Sequence, residues 1–111
     1  MKGSSILTSK LESEIELLER HVTMLKVIKE HEPIGIISLS QLTNIEQHKV
    51  RYSLRILEHE GLIAPSPKGA VTTEKAKLFF NDLRHILDEM DQKMRSIREN
   101  LDTPAPLKEN H

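Results

Sequence analysis

Apolar residues in this chain recur at helical spacing over most of its length and switch to short clustered runs in one place. Leu11, Ile15, Leu18, Val22 and Leu25 follow one another in alternating steps of four and three, the seam of a helix that meets another helix. Leu17, Met24, Val27 and Ile28 widen that stripe in its second half. The pattern predicts a first helix over 8–32 with two jobs: its C-terminal half packs into a domain and its N-terminal half reaches outward. Ser9 and Glu12 read as its capping box, and Pro33 ends it because the residue before a proline resists the helical conformation. Residues 1–7 are expected to be a flexible lead-in.

A short connection, Ile34-Gly35-Ile36-Ile37, comes next, placed where a brief strand could lie. Ser38 with Gln41 then reads as a second capping box, starting a short helix that turns Leu39 and Leu42 inward. Thr43-Asn44 stops it, since Asn tolerates the left-handed conformation a sharp reversal needs. Ile45 returns to the core. Val50, Leu54 and Leu57 give one apolar stripe to a helix over 46–60, and Gly61 caps it. Leu62-Ile63-Ala64 and Ala70-Val71-Thr72 flank Pro65-Ser66-Pro67-Lys68-Gly69, which predicts a β-hairpin over 62–72 with both prolines at its tip. A plain loop is the alternative there.

The last helix is expected over 73–101. Ala76, Phe79 and Phe80 should close the domain core, so the compact part spans 8–80. Beyond it Leu83, Leu87, Met90, Met94, Ile97 and Leu101 keep four-three spacing. At 1.5 Å per residue such a helix is roughly 42 Å long, more than a small domain covers. Each fully buried Leu or Met contributes about 1.5–3 kcal/mol, so this row calls for a partner. A homodimer through the C-terminal helix, with Leu11 and Ile15 of the first helix contributing, is the expectation; folding back on the same chain's first helix is the alternative. Residues 102–111 read as a disordered polar tail. The fold class is therefore mainly α with a small β-hairpin wing: a winged helix-turn-helix plus a long C-terminal coiled-coil helix.

Composition narrows the chemistry. Lys and Arg number 16 against 17 Asp and Glu, a formal net charge of −1, so nucleic-acid binding must come from a local patch. Cysteine is absent and no apolar run is long enough for a signal peptide or membrane span, which predicts a cytoplasmic, nucleoid-associated protein without disulfides. Aromatics make up 3%, too few for the stacking platform of a single-strand binder. The six histidines form no H-x-x-x-H or H-E-x-x-H pattern. No metal or other cofactor is expected, although a crossing pair such as His31 with His59 stays open at this level. The glycines make no phosphate loop and no nucleophile–base–acid set can be assembled, so an enzyme is not expected.

The local patch is on the 46–60 helix. Gln47, His48, Arg51, Tyr52 and Arg55 point away from its apolar stripe, and these residue types reach phosphates and base edges. Residues 46–55 carry Lys49, Arg51 and Arg55 against Glu46, a local net of +2, while Glu12, Glu14, Glu16 and Glu19 are expected to cluster on the first helix, away from that face. Lys68 at the hairpin tip suits a phosphate or a minor groove. Two other readings compete with double-stranded DNA. One is a protein–protein module, in which the same helix meets a protein; the other is a sequence-tolerant architectural DNA binder.

The run from Leu17 to Phe79 resembles the winged helix-turn-helix transcriptional regulators of bacteria and archaea. The carriers are Val50, Leu54, Leu57, Gly61-Leu62-Ile63 and Thr72-Thr73-Glu74-Lys75. With its long C-terminal helix the chain is similar in style to small archaeal predicted regulators dimerised by a coiled coil. The resemblance covers residues 17–85 and implies DNA contacts at Gln47, His48, Lys49, Arg51, Tyr52 and Arg55, with Lys68 in the wing. One departure is a short wing with a single basic residue.

Overall fold

The structure is a computed structural model and describes residues 5–105 and 107. Its elements, in chain order, are α1 (Ile6–His31), α2 (Ile36–Thr43), α3 (Gln47–His59), β1 (Ile63–Ser66), β2 (Gly69–Thr72) and α4 (Glu74–Leu101). The protein is mainly helical, with one small hairpin and a long last helix. The chain divides after Lys77 into a first unit, Met1–Lys77, and a second, Leu78–His111. That boundary falls three residues before the expected end of the compact part at residue 80.

In the first unit α1 supplies the floor. Met24, Leu25 and Ile28 are wholly buried, and Leu39, Val50 and Leu57 meet them from α2 and α3. Ile34, Leu62, Ile63 and Ala76 complete this core. Towards its start the same helix leaves Leu7, Leu11, Ile15 and Leu18 exposed. α1 begins earlier than its sequence suggests: Ser5, not Ser9, is the cap, its Oγ accepting from Leu7 N at 3.1 Å. Residues 6–7, expected to be part of a flexible lead-in, are therefore helical, while residues 1–4 lie outside the described residues.

The two short helices are joined through Asn44, whose φ of 57° is the left-handed conformation expected of it. Two hydroxyls hold the turn. Thr43 Oγ1 donates to the Leu39 carbonyl at 2.7 Å, and Ser40 Oγ donates across the turn to the Ile45 carbonyl at 2.6 Å. The start of α2 departs from expectation. Its cap is Gly35, with no side-chain bond, and Ser38 already lies inside the helix. The helix is thereby extended to Ile36, and of the two leucines only Leu39 is buried; Leu42 is 56% exposed.

Two backbone hydrogen bonds close α3 in a Schellman arrangement, Leu62 N to Leu57 O and Gly61 N to Glu58 O, both 2.9 Å. Gly61 takes the positive φ of 75° this requires. The hairpin follows with a two-residue turn, Pro67-Lys68, shorter than the Pro65–Gly69 stretch expected to lie between its strands. Pro65 is consequently not at the tip but in β1, opposite Ala70. The ladder explains why it is tolerated. Ala70 N–H and C=O are both engaged by Ile34, at 2.8 and 3.2 Å. Ala70 and Pro65 are therefore a non-hydrogen-bonded pair, and the missing proline N–H faces outward from an edge strand. Ile34 acts as a third, one-residue strand beside β2, as the apolar connection suggested.

Glu32, after the last turn of α1, fastens the wing: its carboxylate accepts from Thr72 N at 2.7 Å and Thr72 Oγ1 at 2.9 Å. Thr73 Oγ1 donates to Gly61 O at 2.6 Å, and Lys75 Nζ donates to Glu60 O at 2.9 Å. The chain thus enters α4 from a fixed point, one residue later than the expected 73. Of the three residues expected to close the core, Ala76 is buried, whereas Phe79 and Phe80 are half-buried.

In the second unit α4 runs unbroken to Leu101, and Asp102 N bonds the Glu99 carbonyl at 3.1 Å. Leu83 is buried, while Leu87, Met90, Met94, Ile97 and Leu101 are exposed. The expected tail lies partly outside the described residues, which omit 106 and 108–111; Asp102–Pro104 form no regular element. Among the described residues, no helix is long and apolar enough to cross a membrane.

Candidate nucleic-acid interface

Helix α3 presents two opposed faces. Val50, Ser53 and Leu57 are buried, with Leu54 half-buried beside them. Gln47, His48, Lys49, Arg51, Tyr52 and Arg55 are exposed. Steps of three and four bring His48, Arg51, Tyr52 and Arg55 together on one outward stripe. Among the described residues neither Arg51 nor Arg55 has a carboxylate partner. Two guanidinium groups at i and i+4 cost a helix about 0.2–0.5 kcal/mol, so this pair is a mild electrostatic burden in the free protein.

Lys49 differs from the arginines. It shares Glu46 with His48, at 4.0 and 3.4 Å. Both contacts are exposed, where such pairs contribute little. Lys49 borders an open cleft that also takes in Glu16, Glu19, Arg20 and Glu46, so two of the α1 acids lie near this end of the stripe and not away from it as expected. Lys68 is exposed in the hairpin turn. A mostly apolar groove separates the hairpin from α3, lined by Leu54, Glu58, Ile63, Pro65 and Ala70 among others.

Three residues that anchor this face were not identified from sequence. Ser53 is fully buried between α1 and α3, and its Oγ accepts from Arg20 Nε at 3.2 Å and lies 2.8 Å from His21 Nδ1. Arg20 also lies over the Tyr52 ring, 5.8 Å from its centroid, and the His21 ring is 5.9 Å from the same ring. Tyr52 is thereby held against α1 on one side while 42% of it stays exposed. Burial, with the Arg20 charge adding to it, lowers the His21 pKa below 6.5. The signal for this cluster was present: Ser53 falls three after Val50 and four before Leu57, a polar residue on an apolar stripe.

His31 bonds the Val27 carbonyl at 3.1 Å. Among the described residues no group of three His, Asp or Glu is placed to hold a metal ion.

No family model matches the chain, and no curated relative does. Among solved structures it is similar to the activation domain of the phage T4 transcription factor MotA. That match has 17% identity and a TM-score of 0.54 over 68% of this chain and 81% of that one. At this identity the likeness is one of fold. Over the matched part, this chain has a fold like that of a transcription-factor domain.

Proposed function

We propose that the protein is a homodimeric transcriptional regulator that binds double-stranded DNA through α3. The observation that carries the reading is the exposed Arg51–Arg55 pair, without carboxylate partners among the described residues, on a helix whose other face is locked into the core. A phosphate backbone relieves the repulsion between the two guanidinium groups and neutralises both. In this reading α3 enters the major groove, where Arg51 with Gln47 or His48 meets base edges. Lys49, Tyr52, Arg55 and the wing residue Lys68 hold phosphates. The exposed row on α4, Leu87 to Leu101, pairs two copies, so the two recognition helices meet a pseudo-palindrome with half-sites one helical turn, or a multiple of it, apart. The matched fold from a transcription factor is consistent with this. Such a protein acts at the nucleoid in the cytoplasm and needs no cofactor.

A second reading has its own support. The matched structure is an activation domain by its name, and acidic residues of α1 border the Lys49 end of the stripe. In that reading α3 contacts a protein. Fluorescence anisotropy on random-sequence duplex across a salt titration separates the two, with the wild type beside Arg51→Ala/Arg55→Ala. DNA binding predicts a steep loss of affinity with salt that the double variant flattens. No binding even at low salt would overturn the DNA reading and leave the protein-contact one.

A further inference from the structure

Two stripes of exposed apolar residues leave this chain, and their flanks carry opposite charge. On α1 the stripe is Leu11, Ile15 and Leu18, flanked by Glu12, Glu14 and Glu19. On α4 it is Leu87, Met90, Met94 and Ile97. At the outer end of the α4 stripe Lys93 adjoins Met94 and Arg98 adjoins Ile97. In the four-three register Asp88, Glu89 and Glu99 fall away from the seam; the acid that flanks it, Asp91, is already engaged by Arg95 at 3.1 Å, so Lys93 and Arg98 dominate there.

The stripes also match in length. Leu11 precedes the buried Leu25 by fourteen residues, and Ile97 follows the buried Leu83 by fourteen; at 1.5 Å per residue each reaches about 21 Å past its buried leucine. Residues flanking an apolar seam set which helices pair. Pairing α1 with α1 sets glutamates against glutamates, and pairing the outer ends of α4 sets Lys93 and Arg98 against their like. Pairing α1 with α4 sets acid against base.

We propose that the N-terminal half of α1 is the docking surface for the C-terminal half of α4 from a second copy. This rests on the homodimer reading and specifies its interface: each copy gives one acidic and one basic helix, and the contact occurs twice around the two-fold axis.

Charge reversal tests it by sedimentation equilibrium, without DNA. One variant carries Glu14→Lys/Glu19→Lys, the other Lys93→Glu/Arg98→Glu. Each alone is expected to dissociate at least tenfold more readily than the wild type. An equimolar mixture is expected to recover wild-type association, because in the mixed dimer both contacts pair opposite charges. The neutral variant Glu14→Gln/Glu19→Gln, expected to fall between, separates charge effects from misfolding, with circular dichroism as the control. A Glu14→Lys/Glu19→Lys variant that dimerises like the wild type overturns the α1 docking surface while leaving a dimer through α4 standing. A mixture that stays monomeric while both variants remain helical overturns contact between copies. A monomeric wild type overturns the homodimer itself.

Discussion

The buried hydroxyl of Ser53 lies 2.8 Å from Nδ1 of His21, joining α3 to α1 where the basic face begins. Because Arg20 Nε donates to the same oxygen, the hydroxyl hydrogen is free to point at Nδ1. A neutral ring with its proton on Nε2 offers the acceptor that completes the bond. A protonated ring has no such acceptor and places a second charge beside Arg20.

This makes stability depend on pH in a definite direction. The His21 pKa is lowered below 6.5 by burial and then by Arg20, so the unfolded chain takes up its proton at a higher pH than the folded one does. The contribution of this residue is whole above pH 6.5, declines as pH falls towards the folded pKa, and levels off below it. Thermal melts of wild type and His21→Asn across this range should converge as pH falls. A melting difference independent of pH would exclude His21 as the source. Ser53→Ala, which removes the shared partner, should cost about 1–2 kcal/mol in a denaturant titration.

The wing depends on a missing side chain. A Cβ on Gly69 would lie 2.5 Å from the Ile34 backbone, and its φ of 133° is one L-residues rarely adopt. Gly69→Ala should therefore destabilise by about 2–3 kcal/mol, read as a lowered urea midpoint. Gly35, with nothing within 4 Å of its Cβ position and the cap of α2, gives the opposite result. Gly35→Ser supplies the missing cap bond and should stabilise by a few tenths of a kcal/mol.

Leu39 and Leu42 show where the sequence was legible and where it was not. The helices α1, α3 and α4 follow from spacing, because their apolar stripes are long enough to declare their period. The short α2 is not. With eight residues, its face depends on where it starts, and the Ser38–Gln41 pattern placed that start too late. The hairpin follows from its two apolar runs, but the place of Pro65 within β1 does not, because the ladder partner that frees its nitrogen, Ala70, is itself fixed by the distant Ile34. The site was legible mainly on its outward side. Of its inner support only Ser53 is marked locally, as a polar residue on the apolar stripe; its partners Arg20 and His21 depend on a helix crossing no local pattern encodes. Leu39→Ala should cost about 2–5 kcal/mol and Leu42→Ala less than about 0.5 kcal/mol; equal losses in urea unfolding would contradict the observed packing.

The exposed row on α4 yields a prediction that links assembly to binding. Leu87 and Met94 are 47% and 38% exposed in the single chain, so an aspartate at either position meets water and leaves the first unit's core intact. Paired helices would bury it, where an unpartnered carboxylate is strongly unfavourable. Leu87→Asp and Met94→Asp should therefore be folded monomers by sedimentation at concentrations where the wild type dimerises. On DNA carrying two half-sites they should bind about 10²–10⁴-fold more weakly, the loss expected when two linked contacts become one. On a single half-site they should bind like one wild-type subunit, because α3 is unchanged. Weakening on the two-site DNA alone identifies α4 as the element that couples the two helices; equal weakening on both would mean that the substitutions had reached α3 itself.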